Sequence, residues 1–212
     1  MSALARRSRA SSQRGYTLVE VMVAIAVMAI GVTGILSMQN AAVLANRRAQ
    51  EMTMATSLAR RWQEILRTDA LSWNRPSQRN TAADLGTDTR HLCAVVGCGG
   101  GAGRVDQWFV PQANLPTESP AYDHWGREVA VGAAEAKYCV NMRLSWVRQP
   151  SLNPIDQGVI RAEVRVWWYA EGATRDPSYA NCGTGGGLDA LGQDVARVHS
   201  VLDVATVWGL PQ

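Results

Sequence analysis

The chain has 212 residues, of which 47% are hydrophobic, a fraction that is normal for a globular domain and too low for a protein with many membrane spans. Its formal net charge is +3, but four of its 21 basic residues lie in residues 1–15, which contain no acid, so the remainder of the chain is close to neutral. Charge therefore gives no support to a nucleic-acid-binding domain, and none is predicted.

The first predicted element is a long helix that begins in an apolar run. Tyr16 to Met38 provides 23 residues, more than the about 20 helical residues that span a bilayer core. Between residues 10 and 46 the only charged side chains are Arg14 and Glu20. The basic flank before the run predicts a cytoplasmic N-terminus and an exported C-terminal part.

Two kinds of export signal share a basic start and an apolar run. A secretory signal peptide would be cut after the run, where Ala41, Ala42 and Ala45 offer only a weak site. The other kind is cut before the run, after Gly15, and the helix stays on the mature protein. Glu20 favours the second kind, because a carboxylate is unusual both in a secretory signal core and in an ordinary membrane anchor.

The segment RGYTLVEVMVAIAVMAIG, residues 14–31, resembles the class III signal of type IV pilins and type II secretion pseudopilins. That signal has a basic leader ending in glycine, then an aromatic residue, Thr-Leu-hydrophobic-Glu and a long apolar run. The matching residues are Gly15, Tyr16, Thr17, Leu18 and Glu20. The resemblance implies that a prepilin peptidase cleaves after Gly15 and that Tyr16 is then N-methylated.

Glu20 is the expected assembly residue. A charge well inside a helix in hydrocarbon costs about 2.5–3.5 kcal/mol on insertion scales, so this carboxylate should find a partner. Cleavage creates a new amino group on Tyr16, and the resemblance implies that Glu20 pairs with that amine on a neighbouring subunit in a filament. An alternative remains open, in which the Glu20 side chain reaches the membrane interface without a partner.

No proline occurs between Tyr16 and Asn74, so one helix is predicted from about residue 16 to about Thr68. Gly31 and Gly34 weaken its apolar half and are the expected site of loosening during assembly; close helix packing is an equal alternative. The second half carries an apolar stripe of helical spacing, which predicts a face docked on a soluble head. The stripe consists of Met52, Ala55, Ala59, Trp62 and Leu66.

Four parts of the chain are predicted from these features. Residues 1–15 form a leader that is removed, and residues 16–40 form a transmembrane and assembly half-helix. Residues 41–70 form an amphipathic half-helix, and residues 71–212 form an exported head.

The stretch AIGVTGILSMQ, residues 29–39, is similar to the corresponding run of PilV-type minor pilins. This resemblance implies as partners the inner-membrane assembly platform, the major pilin, other minor pilins and a tip adhesin. It implies residence in the inner membrane with the head in the periplasm, then in a surface pilus, with motility or adhesion downstream. A minor pseudopilin of type II secretion is the alternative within the family.

Three strands are predicted in the head from alternating apolar residues. KYCVNMRLSWVR (137–148) and VIRAEVRVWWYA (159–170) flank a proline-containing loop and predict a hairpin. A third strand is expected within 194–208, with Val198, Leu202 and Val204 on its core side. Antiparallel strands lying on the amphipathic half-helix give an α+β fold, the pilin fold that the resemblance implies.

In each predicted strand, successive side chains point to opposite faces of the sheet. The side chains expected on the core face are Tyr138, Val140, Met142, Leu144 and Trp146 in the first strand, and Ile160, Ala162, Val164, Val166 and Trp168 in the second. Residues 71–136 and 170–193 are expected to be largely loop, with short elements near 108–110 and 127–131.

Four cysteines follow the apolar run, an even number that predicts two disulfides in an oxidising compartment. Of three possible connectivities, we predict Cys93–Cys98, which closes a glycine-rich loop, and Cys139–Cys182, which ties a strand to a long loop.

A membrane-tethered periplasmic enzyme or metal protein is the alternative from another class. His91, Cys93 and Cys98 could be zinc ligands, but their spacing matches no common zinc motif and exported thiols tend to oxidise. No recognisable nucleophile motif accompanies His124 or His199. Neither an enzyme, nor a metal site, nor a cofactor is predicted.

Overall fold

The computed structural model describes residues 16–74, 82–111, 118–150, 158–170, 182 and 198–208. The predicted leader, with Gly15, lies outside the described residues, as do residues 194–197 of the third predicted strand and most of the predicted loops. The chain divides into two compact units, Met1–Ala49 and Gln50–Gln212.

One helix, α1, runs from Leu18 to Trp73. It continues past the expected end near Thr68 because Asp69, Ala70 and Trp73 are buried in the head, and this packing stabilises a further turn. Four residues of the predicted stripe are buried: Ala55, Ala59, Trp62 and Leu66.

The remaining residue of the stripe, Met52, is 53% exposed, so its predicted burial is wrong. The side chains of this turn that contact the head are those of Glu51 and Met54. The docked face therefore begins with those two residues and not at Met52.

In the described part of the chain, five antiparallel strands form one sheet in the order β2-β1-β3-β4-β5. The strands are β1 Ala121–Tyr122, β2 Glu128–Val129, β3 Tyr138–Arg148, β4 Val159–Tyr169 and β5 Val198–Trp208. The C-terminal part of α1 packs against one face of this sheet around Trp62, Met142 and Val164, which are fully buried. The predicted α+β fold, a long N-terminal helix packed on an antiparallel sheet, is confirmed.

The predicted hairpin is β3 and β4. Cys139 pairs with Trp167 at one end and Trp146 with Ile160 near the other, where a bulge follows. All the predicted core side chains of β3 and β4 are buried except Trp146, which is half-buried. The predicted core face is therefore confirmed for both strands, although Asn141, Glu163 and Trp167 on the opposite face are buried as well.

The predicted core face of β5 is wrong. Leu202 and Val204 are 52% and 45% exposed, while Val207 is buried and Val201 packs against the core. Antiparallel pairing sets this choice, because Val201 lies opposite Val166 and Val207 opposite Ile160, both on the core face of β4. A strand has period two, so a register differing by one residue exchanges its faces.

Further short elements complete the head. β2 lies within the predicted 127–131 element, and Phe109 of the predicted 108–110 element forms a single bridge with Met142. Among the described residues, β1 and a second helix, α2 (Ala82–Asp88), were not predicted. A 3₁₀ turn, Leu92–Val95, follows α2 and places two side chains in the core.

Candidate assembly site

The first turn of α1 carries the predicted assembly residues. Thr17 is the residue just before the helix, and its side-chain Oγ1 accepts a hydrogen bond from the Glu20 backbone N–H at 3.3 Å. Glu20 thus occupies the third helical position, and Thr17-x-x-Glu20 has the spacing of a capping box. The capping function of Thr17 was not predicted, although its signal, a threonine three residues before a glutamate, is in the sequence.

The Glu20 side chain is exposed, and no ion pair is found for it among the residues that the structure describes. A carboxylate in a first helical turn is stabilised by the partial positive charge of the helix N-terminus, by about 0.3–1 kcal/mol at an exposed position. That gain is smaller than the insertion cost of a carboxylate in hydrocarbon. The helix end therefore offsets only part of the cost, and the charge remains open to a cationic partner.

The apolar half of α1 is exposed along its whole length. Every residue from Tyr16 to Gln50 is exposed, and Tyr16 itself is 83% exposed. Within the described part of the chain, α1 is a helix that is long enough and apolar enough to cross a membrane. Monomeric soluble proteins rarely expose an apolar surface of this extent, so lipid or another protein must cover it.

Gly31 and Gly34 lie in this surface. Apart from the backbone of α1 itself, a side-chain carbon added at either position would meet no atom of the described residues within 4 Å. Contacts among the described residues therefore do not require glycine at either position, and they favour neither loosening of the helix nor close packing against a neighbour.

The other half of α1 is anchored to the head by polar contacts that the sequence did not predict. Glu51 accepts hydrogen bonds from Lys137 Nζ at 2.6 Å and from Trp168 Nε1 at 3.1 Å. Trp62 Nε1 donates to Tyr122 Oη at 3.0 Å inside the core. Burial raises the pKa of Tyr122 to about 12, so this acceptor stays a neutral hydroxyl at ordinary pH.

Asp69 anchors the segment that carries the first disulfide. Its carboxylate accepts three backbone N–H groups, from Arg90 at 2.7 Å, His91 at 2.8 Å and Leu92 at 2.9 Å. Asp69 lies in the last turns of α1, and a buried carboxylate is tolerated there because these donors surround it. The only indication of this contact in the sequence was a lone aspartate that follows an amphipathic stretch.

The structure joins Cys93 to Cys98 and Cys139 to Cys182, with Cα–Cα distances of 4.8 Å and 5.2 Å. The sulfurs of Cys93 and Cys98 are bonded to each other, so they are not available as zinc ligands beside His91. In the described part of the chain, no three His, Cys, Asp or Glu side chains are grouped as metal ligands.

An exposed apolar helix with a carboxylate in its first turn, joined to an α+β head, fits a protein that is anchored in a membrane by its N-terminal helix. The family model described as the prokaryotic N-terminal methylation motif matches residues 10–36. No curated protein and no solved structure matches the chain.

The motif supports a type IV pilin-like or pseudopilin-like prepilin, a class of structural proteins. It implies processing by prepilin peptidase and assembly with pilins. Together with the apolar helix, it fits anchoring in the inner membrane followed by incorporation into a pilus.

Proposed function

We propose that this protein is a minor pilin of a type IV pilus, of the PilV type, that primes pilus assembly or forms part of the tip complex. The observation that carries the proposal is a fully exposed apolar half-helix whose first turn holds Glu20, within the residues matched by the methylation motif. Similarity of residues 29–39 to PilV-type minor pilins supports the choice of this type within the class.

The proposed mechanism starts with removal of residues 1–15, which exposes the amino group of Tyr16. The apolar half-helix leaves the bilayer and packs among the helices of the major pilin and other minor pilins. Glu20 accepts the amine of a neighbouring subunit, and this pair fixes the axial register, because a buried charge without its partner is penalised by several kcal/mol. The head then supplies contacts to a tip adhesin, supporting adhesion or motility.

Changing Glu20 tests the mechanism directly. Glu20→Ala should leave cleavage after Gly15 largely intact and reduce the amount of protein in sheared surface fibres at least about tenfold, the factor that corresponds to about 1.4 kcal/mol. Glu20→Gln is the matched control, since it keeps size and loses charge, and it should show the same defect. Normal incorporation of either variant would refute the assigned function of Glu20.

The mature N-terminus tests the proposal as a whole. Intact-mass and N-terminal analysis of protein from sheared fibres should find methylated Tyr16 as the first residue. A start near Asn46 would indicate ordinary secretion and end the proposal. Copurification with a secretion platform, in place of a pilus adhesin, would assign the chain to the pseudopilins.

A further inference from the structure

The two disulfides of the head differ in their access to solvent. Cys139 and Cys182 are 4% and 2% exposed and pack in a cluster with Trp167. Cys93 is 1% exposed, but its partner Cys98 is exposed. We propose that the Cys93–Cys98 disulfide is a thiol–disulfide exchange site for a dithiol oxidoreductase, and that Cys139–Cys182 is a permanent structural bond.

The chain around Cys98 leaves room for another protein to approach. Exchange requires a thiolate to reach the attacked sulfur along the S–S axis, so bulky neighbours protect a disulfide. Cys98 begins a continuous exposed stretch, residues 98–107. Gly99 and Gly100 follow it, and a side-chain carbon built at either position meets no atom within 4 Å. Cys98 is therefore the more accessible residue of the pair, and the proposal places the attack at its sulfur.

The segment is held by contacts that do not depend on the disulfide. Asp69 binds the backbone N–H groups of residues 90–92, and Leu92 and Val95 are buried in the main core. Arg104 N donates to the Ala94 carbonyl at 2.7 Å and closes the base of the glycine loop. Reduction thus removes the covalent restraint on residues 98–103, while the 3₁₀ turn Leu92–Val95 stays in place.

The reduced form also has a hydrogen-bond acceptor ready. Cys93 Sγ lies 3.2 Å from the Arg90 carbonyl oxygen, a distance at which a thiol donates a weak hydrogen bond. The leaving sulfur of Cys93 can therefore be satisfied as a buried thiol after it takes up a proton.

The exchange is balanced by the dithiol partner. Its first thiolate attacks Cys98 Sγ, the S–S bond breaks, and Cys93 leaves as a thiolate and is protonated. The partner's second thiol, after losing its proton, attacks the mixed disulfide and releases Cys98, which is protonated in turn. Two electrons and two protons pass to the chain, and the partner leaves with its own disulfide.

Differential labelling of the unmodified chain tests the proposal. The processed full-length protein in detergent is incubated with a reduced thioredoxin-type protein, quenched with acid and alkylated, and each cysteine is followed by peptide mass spectrometry. Cys93 and Cys98 should be labelled at least about tenfold faster than Cys139 and Cys182. Equal rates, or no reaction of Cys93–Cys98 with the dithiol protein, would overturn it.

Two variants compare the access of a reagent to the two sulfurs. Cys93→Ser leaves Cys98 as the free thiol and Cys98→Ser leaves Cys93, and both are treated with an aromatic disulfide reagent. The Cys93→Ser variant should react at least about tenfold faster; an equal or reversed order would contradict attack at Cys98. The near-UV circular dichroism spectrum and an intact Cys139–Cys182 bond report that each variant is folded. Neither assay requires a filament, so failure here is separable from failure of the minor-pilin function.

Discussion

The two parts of α1 share one backbone conformation and differ in what surrounds them. Residues 16–50 are exposed throughout, whereas the stretch from Ala55 to Trp73 supplies the centre of the head core. In the second part, the apolar surface of the helix is buried by the head of the same chain, so the packing of this part is fixed within one molecule. In the first part the apolar surface needs lipid or another subunit. The same element therefore completes the head core at one end and leaves an apolar surface exposed at the other.

The strongest test of this contrast removes one large side chain from each part. Trp62 is fully buried, and Trp62→Ala should lower the free energy of unfolding by about 3–5 kcal/mol, because it leaves a cavity and removes the hydrogen bond to Tyr122. Urea denaturation of the full chain in detergent, followed by near-UV circular dichroism, measures the change.

The matched variant is Ile25→Ala, at a position that is 62% exposed. It should change the free energy of unfolding of the head by less than about 0.5 kcal/mol, yet reduce the recovery of protein in surface fibres. A loss of head stability in Ile25→Ala comparable with that in Trp62→Ala would show that the two parts do not differ as described.

A smaller effect is expected at the end of α1. Asp69→Ala leaves three backbone N–H groups without their acceptor and should cost about 3 kcal/mol, whereas Asp69→Asn keeps one acceptor oxygen and should cost less. Glu64→Ala, on the exposed face of the same helix, should stay within about 0.5 kcal/mol. The same denaturation assay ranks the three variants, and a Glu64→Ala cost equal to that of Asp69→Ala would contradict the anchoring function.

The smallest effect concerns the turn between β1 and β2. Burial opposes ionisation of Asp123, but hydrogen bonds from the Arg127 backbone and side chain and from the Trp125 N–H outweigh it, so the pKa of Asp123 lies below its ordinary 3.8. The ionised carboxylate contributes stability that is fully present above pH 3.8 and is lost as the pH falls through the lower folded-state pKa.

Asp123→Asn removes this titration. Its urea midpoint should vary less with pH below 3.8 than that of the parent chain. Above pH 5 the urea midpoints of the two proteins should change with pH in parallel. A midpoint that falls with acid just as steeply in Asp123→Asn would assign the acid sensitivity to other carboxylates.

Much of the fold follows from local pattern. An unbroken apolar run and the absence of proline predicted α1, and strict alternation predicted β3 and β4 with their buried faces, because those strands are apolar on one face and largely polar on the other. The signal at the start of α1 was recognisable because Gly15, Tyr16, Thr17 and Glu20 follow the residue order of the class III signal. By contrast, the contacts of Glu51 and Asp69 join residues far apart in the chain, and no local pattern indicates such partners.

The sequence by itself determined an apolar helix with one carboxylate near its start and an α+β head with alternating strands, since periodicity and composition are local properties. Only the tertiary structure decided which face of β5 is buried. Both faces of that strand carry valines, so its pattern is ambiguous, and the pairing of Val201 with Val166 and of Val207 with Ile160 selects one of them. The turn of α1 beyond Thr68 was decided in the same way, because a helix end depends on what its last side chains pack against.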